Sequence, residues 1–361
     1  MPKILLITNS KLNEPSPNAE KFSIRKKYLE KNGWEVILGY ISPPGDLRSY
    51  RSMRDIIRCL TIVIQKEIDI IHSFNEPMQL HGTGYLLSRI TDVPWLMEFR
   101  DPLATNPEIK KGSIKKPIRE TVEKLFIQEA DKVIWIDGIQ ISNTYFQDEY
   151  PKISENHFTK LSRVGFDEEK FDRLRTKNFD NFTLTYAGSF YEGWIEPYPI
   201  FDALELFVEQ HPEIEITVQF YGDWKPKYTT AAREQGVERY LSIHDWIDYD
   251  DLVPSLKGSD ALLYIGGDDK RNKLNVPTKI YDYIGAQTPI LAVVDHSFRV
   301  AKFIEDNKLG LVADPEEPTQ IAEAIYELHT GTKGYDPDDI SQFGREKSLQ
   351  EFESILNALV D

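Results

Sequence analysis

The residues with the clearest chemical potential are four cations that lie close together near position 280. Lys270, Arg271 and Lys273 precede a predicted helix, and Lys279 lies in its first turn. Thr278 is the expected N-cap of this helix. Free backbone N–H groups and the positive end of the helix dipole attract anions, and the neighbouring cations strengthen that attraction. The segment therefore predicts a phosphate-binding site.

Asp282 follows on the same predicted helix, four residues after Thr278 and three residues after Lys279. Side chains at these spacings are neighbours on a helix, so the carboxylate is expected near the phosphate site. A carboxylate in that position can accept hydrogen bonds from both hydroxyls of a ribose. The alternative is an ordinary capped helix with Lys279 and Asp282 as a surface ion pair, and the spacing alone does not decide between the two.

Short apolar strands alternate with amphipathic helical stretches along the chain, a pattern typical of parallel sheets with crossover helices. In the first half the strands are predicted at 3–8, 35–40, 68–72, 94–98 and 132–136, and the helices at 18–32, 50–66, 79–91, 117–130 and 138–149. In the second half the strands are predicted at 183–187, 214–221, 261–265, 290–294 and 310–312, and the helices at 197–210, 227–235, 250–257, 278–286, 297–306, 318–330 and 341–358.

This pattern predicts an α/β protein with two Rossmann-like domains, each a doubly wound parallel sheet. We expect the first domain at 1–167, a charge-rich linker at 168–181, the second domain at 182–340, and a C-terminal helix region at 341–361 that packs back toward the first domain. Ligands of such sheets bind at the carboxyl ends of the strands, so the site is expected in a cleft lined by strand-to-helix loops of both domains.

Composition limits the class of protein. The chain has 361 residues, of which 40% are hydrophobic and 28% charged, as in a folded globular protein of about two domains. Its 43 Lys and Arg against 59 Asp and Glu give a net charge of -16, which disfavours nucleic acid as a partner.

The single cysteine, Cys59, excludes an intrachain disulfide and a multi-thiolate zinc site, so a reducing, cytoplasmic location is expected. No apolar run approaches the roughly 20 residues that span a bilayer, and the apolar residues 4–7 are expected in a first strand rather than a signal peptide.

The charge is divided unevenly along the chain. Residues 1–120 contain 19 Lys and Arg and 14 Asp and Glu, whereas residues 121–361 contain 24 and 45. The basic part includes the stretches 25–27, 48–58 and 110–119. These stretches are either solvated surface or a surface that docks on anionic lipid or on a phosphate-bearing acceptor. Peripheral contact with the inner face of the membrane is therefore one expectation.

The common motifs for nucleotide and metal chemistry are missing or better explained otherwise. No G-x-G-x-x-G follows the first predicted strand and no G-x-x-x-x-G-K-[ST] occurs, which argues against a dehydrogenase and a nucleoside-triphosphate hydrolase. Asp248 and Asp250 match the D-x-D of metal-dependent transferases, but they precede a predicted helix, and we interpret them as its cap. We therefore expect neither a metal nor another cofactor. The paired carboxylates of a glycosidase remain an open alternative.

Residues 277–290 resemble the P-[ST]-K-x-x-[ED]-Y-x-x-x-x-x-P stretch of glycosyltransferase family 4, whose members are retaining enzymes with the GT-B fold. Other stretches resemble further parts of that family in the same order along the chain. They are a D-h-h-H strand at 69–72, an F-R-D-P loop at 99–102, an N-G-[VF]-D link at 163–167, a strand and glycine turn at 186–191, and a nucleobase loop at 245–247. The resemblance spans nearly the whole chain.

The resemblance implies a retaining transferase that moves a sugar from a UDP- or GDP-linked donor to a glycan, lipid-linked or small-molecule acceptor. The second domain would bind the donor through Gly188, Ser189, Phe190, Trp246, Ile247, Lys270, Arg271, Lys273, Pro277, Thr278, Lys279 and Asp282. The first domain would bind the acceptor through Asn18, His72, Asn75 and Glu76. Arg100 and Asp101 are the candidate catalytic residues, Arg100 at the donor phosphate and Asp101 at an acceptor hydroxyl. His72 can equally be interpreted as a core histidine.

The sequence also departs from the family pattern. Leu274 occupies the place of the first acid of the family's Glu-x7-Glu pair, and Phe190 stands where many members have a cation after the glycine turn. Residues 15–19 replace a Gly-Gly loop. These departures keep two alternatives open: a non-catalytic GT-B-like protein that binds a nucleotide sugar or a carbohydrate, and a GT-B nucleotide-sugar epimerase.

Overall fold

The computed structural model describes residues 1–10, 17–42, 49–74, 78–99, 115–136, 144–163, 165–331 and 335–360. Within these ranges the side chains of residues 17–21, 49–52, 115, 116 and 271 are not described. The chain forms two compact units. Unit 1 comprises Met1–Arg163 and Ser348–Asp361, and unit 2 comprises Val164–Lys347.

Unit 1 contains a six-stranded parallel sheet in its described residues. Its strands are β1 (Lys3–Thr8), β2 (Glu35–Tyr40), β3 (Ile70–Phe74), β4 (Trp95–Phe99), β5 (Lys132–Ile136) and β6 (Phe158–Leu161). Their order across the sheet is β2-β1-β3-β4-β5-β6. The helices are α1 (Pro17–Lys31), α2 (Ser49–Lys66), α3 (Gln79–Thr91), α4 (Lys115–Glu129) and α5 (Tyr145–Glu149).

Unit 2 contains a second six-stranded parallel sheet in its described residues, with the order β12-β11-β10-β7-β8-β9. Its strands are β7 (Phe182–Gly188), β8 (Ile216–Gly222), β9 (Leu241–His244), β10 (Ala261–Gly267), β11 (Ile290–Val294) and β12 (Gly310–Ala313). The helices are α6 (Glu168–Arg173), α7 (Tyr198–Gln210), α8 (Pro226–Glu234), α9 (Tyr249–Gly258), α10 (Thr278–Ala286), α11 (Arg299–Asp306) and α12 (Pro318–Thr330).

The last helix, α13 (Arg345–Val360), belongs to unit 1 from Ser348 onward. Its Phe352 and Leu356 are buried in the core of unit 1. Glu351 accepts hydrogen bonds from the amide and the hydroxyl of Ser162, at 2.8 and 2.9 Å. The last residues of the chain therefore complete the core of the first unit.

Most of the predicted elements are confirmed, and seven have the predicted bounds: β1, β2, β5, β11, α3, α10 and α12. The apolar pattern does not predict β6 and β9, because each has only four residues, lies at a sheet edge and contains polar side chains. The linker expected at 168–181 is wrong in its first part, which forms α6 within unit 2. Phe171 anchors this helix, since its ring is buried in the core of unit 2.

Each sheet has one topological switch point, where the strand order along the chain reverses. Unit 2 has the dinucleotide-fold order 3-2-1-4-5-6, with the reversal between β7 and β10. Unit 1 has a flavodoxin-like order with the reversal between β1 and β3. Ligands of open parallel sheets bind at the carboxyl ends of the strands at such a point. In unit 2 these ends are Gly188 and Gly267.

A helix that crosses a membrane needs about 20 predominantly apolar residues. The longest helix named above, α2, has 18 residues, but four of them are basic. In the parts of the chain that the structure describes, no helix combines the length and the apolar content that a membrane crossing requires.

Candidate functional site

The glycine ends of β7 and β8 form the floor of the candidate site in unit 2. Gly188 and Gly222 pair across the two strands and have φ angles of +145° and +141°. A Cβ atom on residue 222 would lie 2.2 Å from the carbonyl oxygen of Gly188, so only glycine allows this approach. The two strand ends therefore leave backbone rather than side chains at the ligand edge of the sheet.

Lys279 reaches this glycine edge from the first turn of α10. Its Nζ lies 4.3 Å from the centroid of the Tyr186 ring and 2.2 Å from the position that a Cβ atom of residue 188 would occupy. The lysine is half-buried, and this burial lowers its pKa to about 8, although Asp223 and Asp282 oppose the shift. The ammonium group thus fills the space left by the missing side chain of Gly188.

Tyr283 fixes α10 against the two strands at the reversal point. Its hydroxyl accepts a hydrogen bond from the Ala187 amide and donates one to the Leu263 carbonyl, both at 3.2 Å. Ala187 lies in β7 and Leu263 in β10, so one buried side chain holds the helix at both. This anchor sets the position from which Lys279 extends.

Asp282 is half-buried on α10 and accepts a hydrogen bond from the Tyr249 hydroxyl. Burial and this carboxylate raise the pKa of Tyr249 well above its usual range. The alternative prediction is a surface ion pair between Asp282 and Lys279. The structure does not show this pair, because the ammonium group of Lys279 lies over the Tyr186 ring. The carboxylate instead shares a polar cluster with a tyrosine of α9.

Asp223 is a candidate site residue that the sequence analysis missed. It follows the glycine end of β8, and its Oδ1 accepts a hydrogen bond of 2.8 Å from the Phe190 amide. Its charge also favours the ammonium form of Lys279. The sequence contains a signal for this position. Both β7 and β8 contain aromatic residues, end in a glycine and are followed by a polar residue, which is Asp223 after β8.

Phe190 does not face the candidate site. Its side chain is 4% exposed and stacks on Tyr186 at 4.8 Å between ring centroids, within a cluster that also contains Phe220 and Trp224. Because the ring is buried, the prediction that the Phe190 side chain contacts a donor is wrong. Ser189 remains at the edge, where its carbonyl accepts a hydrogen bond of 2.7 Å from the Tyr186 hydroxyl.

Thr278 is not the N-cap of α10. Pro277 occupies the cap position with φ -64° and ψ 152°, and Thr278 is the first helical residue, with an exposed side chain. The extended ψ keeps Pro277 outside the helix, and its missing backbone N–H costs nothing here because no intrahelical hydrogen bond uses that group at a helix start. The start of the helix is therefore as predicted, while the side-chain cap is wrong.

Several of the remaining predicted donor residues are more exposed than Lys279. Lys270 and Lys273 are exposed, and Lys270–Asn272 form a short 3-10 turn that Asn272 ties to the Gly266 carbonyl at 3.0 Å. Arg271 lies in that turn, without a described side chain. Trp246 and Ile247 are exposed in the loop after β9.

The D-x-D stretch begins α9, as the helix interpretation predicts. Asp248 is at the N-cap position, and no side-chain cap hydrogen bond is made. Asp250 pairs with Lys170 at 2.6 Å and with Arg173 at 3.5 Å. Among the described residues, no group of three or more His, Cys, Asp or Glu side chains could hold a metal ion.

Among the acceptor-binding and catalytic candidates of unit 1, the structure describes the side chain of His72. It is fully buried in β3, and its Nε2 lies 3.1 Å from Glu98 Oε2. Glu98 also pairs with Arg25, which is 2% exposed, so the expectation that Arg25 belongs to a solvated or docking surface is wrong. This is the environment of a core histidine, and a contact of His72 with an acceptor stays a prediction.

The other unit 1 candidates cannot be placed in the same way. Asn75, Glu76, Arg100 and Asp101 lie outside the described residues, and so do residues 110–114 of the basic stretch. Asn18 lies in α1 without a described side chain. Their roles stay predictions from the sequence.

Neither a scan of protein-family models nor a search of curated proteins gives a match to this chain. The fold does have relatives among solved structures. The chain is similar to the lipopolysaccharide outer core galactosyltransferase WaaB, with a TM-score of 0.65, 13% identity and 99% of both chains covered. It is similar to sucrose-phosphate synthase from Thermosynechococcus elongatus, with a TM-score of 0.62, 12% identity and 99% of both chains covered. It is also similar to the UDP-GlcNAc 2-epimerase from Methanocaldococcus jannaschii, with a TM-score of 0.55, 11% identity and 99% of both chains covered.

Similarities at such low identity concern the fold and not the activity. They agree with the architecture of the chain, which has two six-stranded parallel sheets with flanking helices in its described residues. The chain therefore has the GT-B fold.

Proposed function

We propose that this chain is a retaining, metal-independent glycosyltransferase, a divergent member of family 4, that binds a UDP- or GDP-linked sugar in unit 2. The main support is the position of Lys279. Its ammonium group lies at the glycine end of β7, next to the reversal point at which open parallel sheets bind ligands. Fold relatives that include a galactosyltransferase and a sucrose-phosphate synthase are consistent with this chemistry.

Transfer from a nucleotide sugar leaves a nucleoside diphosphate, whose negative charge grows as the glycosidic bond breaks. A cation at that charge lowers the barrier, and it does so best where water is partly excluded. In this proposal Lys279 supplies the cation that many family members place directly after the glycine turn. Lys270 and Lys273 are exposed on the preceding turn and add to the positive potential.

The carboxylates of the site have separate roles in the proposal. Asp282 accepts hydrogen bonds from the ribose hydroxyls, with its position fixed by Tyr249. Asp223 is a positioning residue, because it holds the turn after Gly188 through the Phe190 amide. The exposed Trp246 and Ile247 provide apolar surface for the base.

Unit 1 is proposed to bind the acceptor, a glycan, lipid-linked sugar or small molecule. Asn18, Asn75 and Glu76 are its proposed contacts, and Arg100 and Asp101 are proposed to act at the donor phosphate and the acceptor hydroxyl. These residues follow the first, third and fourth strands of the unit, whose carboxyl ends share one edge of the sheet.

The direct test is calorimetric titration of UDP and GDP into the full chain, followed by the matching nucleotide sugars. We expect one diphosphate to bind, and we expect EDTA to leave its affinity unchanged because the proposed partners are side chains. Release of free diphosphate and of a glycosyl product would then establish transfer. Interconversion of two nucleotide sugars without release would support the epimerase instead, and binding without turnover would support the non-catalytic alternative. If neither diphosphate binds, the donor site is wrong.

Replacing Gly188 by alanine is expected to lower diphosphate affinity about tenfold. The added Cβ overlaps the Nζ position of Lys279, so the lysine has to move away from the site. Gly193→Ala is the matched control, because Gly193 also has a positive φ, +80°, but an added Cβ there meets nothing within 4 Å. Calorimetry should therefore show near wild-type affinity for the control, and equal losses in both variants would count against Lys279 as the phosphate ligand.

A further inference from the structure

Unit 1 exposes large apolar side chains on three successive helices. In α2 they are Met53, Ile57 and Ile64, which are 60%, 57% and 63% exposed. In α3 they include Ile90, at 60%, and in α4 they include Ile118, at 60%. Soluble proteins rarely expose apolar side chains of this size in groups without a use for them.

The three helices lie side by side on one face of the sheet. The steps from β2 to β3, from β3 to β4 and from β4 to β5 all move in the same direction across the strand order. Because such crossovers are right-handed, α2, α3 and α4 cover the same face, with α3 between the other two. The step from β1 to β2 moves the opposite way, which places α1 on the other face, where Tyr28 of α1 donates a hydrogen bond to Glu353 of α13.

The same helices have a net positive charge, although the chain as a whole is strongly acidic. Together α2, α3 and α4 contain nine Lys and Arg and four Asp and Glu, whereas the whole chain has a net charge of -16. Among these cations Arg54 and Lys66 of α2 and Lys124 of α4 are exposed. Apolar and basic side chains are therefore mixed on one surface, which we call the α2–α4 face.

We propose that the α2–α4 face docks on an anionic lipid surface. Helices that lie flat on a membrane insert aliphatic side chains while their Lys and Arg side chains contact anionic headgroups. A symmetric contact between two copies of this chain would instead bring two positive faces together, and the resulting repulsion disfavours it. The inference rests on unit 1 alone and does not depend on the donor site proposed in unit 2.

The test is flotation of the full chain with vesicles of phosphatidylcholine alone and with vesicles of equal parts phosphatidylcholine and phosphatidylglycerol. We expect association with the anionic vesicles only, and a fall of about tenfold or more when salt is raised from about 0.1 to 0.5 M. The variants Ile57→Ser/Ile90→Ser and Arg54→Ser/Lys124→Ser should each reduce association about tenfold. Ile243→Ser, at an exposed position of β9 in unit 2, is the control and should leave it unchanged.

Three outcomes would overturn the proposal. The first is absence of association with anionic vesicles, and the second is equal association with both vesicle types. The third is a dimer in light scattering that Ile57→Ser/Ile90→Ser dissociates, which would assign the face to a second copy of the chain. Circular dichroism melts of the variants confirm folding, and because the substituted side chains are exposed, melting temperatures close to that of the wild type are expected.

Discussion

Replacing Arg25 by methionine is expected to destabilise unit 1 by about 3–5 kcal/mol. Arg25 and Glu98 are 2% and 0% exposed and form an ion pair between α1 and β4. The guanidinium also lies 4.3 Å from the centroid of the Phe352 ring of α13. Methionine retains much of the side-chain volume but removes the Arg25 guanidinium from the buried Glu98 carboxylate, which is the costly part of the change.

The next residue on the same helix provides the control. Lys26 pairs with Glu30 one turn later, on the surface of α1, so Lys26→Met should cost no more than about 0.5 kcal/mol. Urea unfolding gives the two free energies, and hydrogen exchange of the β3 and β4 amides assigns the loss to unit 1. The double variant Arg25→Met/Glu98→Leu should recover part of the loss, because it removes both charges. Similar losses for the two single variants would show that the buried pair has no special weight.

Replacing Lys279 by alanine is expected to weaken nucleoside diphosphate binding by about one to two decades, since one charge-assisted hydrogen bond contributes roughly 1.5–3 kcal/mol. Turnover should fall as well as affinity, because the negative charge on the leaving diphosphate increases toward the transition state. Lys302→Ala removes an exposed lysine from α11 of the same unit and serves as the control. Wild-type affinity in Lys279→Ala would remove the donor-site assignment.

The pH dependence of binding provides a second measurement on the same variants. Burial lowers the pKa of Lys279 to about 8, and only its protonated form attracts the diphosphate. Affinity should therefore fall as the pH rises from about 7 to about 9.5, where lysines with ordinary pKa values remain charged. This fall should be absent in Lys279→Ala and unchanged in Lys302→Ala. A flat profile in the wild type would contradict the assignment of the phosphate contact to Lys279.

The sequence predicts the two sheets well because their central strands are buried on both faces. In β11, for example, all five residues are buried, which requires the continuous apolar run that the sequence shows. Edge strands have no such requirement. In β9, Ser242 and His244 alternate with apolar residues over only four positions, and a pattern this short is not distinguishable from a loop.

The site is only partly predictable from the sequence for a similar reason. Lys279 and Gly188 stand out because of their local motifs, but that they meet depends on how α10 is anchored to β7 through Tyr283. Arg25 is a clearer case. Its neighbours Lys26 and Lys27 make it look like part of a basic surface, whereas its partner Glu98 is 73 residues away along the chain. Local pattern contains no information about a pairing over that distance.

The position of α13 sets the order in which the two units can reach their final structures during synthesis. Unit 1 contains the first residues of the chain, yet its core includes Phe352 and Leu356, which the ribosome adds after all of unit 2. Until then Arg25 lacks the Phe352 ring beside it. The core of the first unit therefore stays incomplete until unit 2 has been synthesised, although domains generally fold from the N-terminus onward. Removal of α13 would consequently destabilise the unit that contains the opposite end of the sequence.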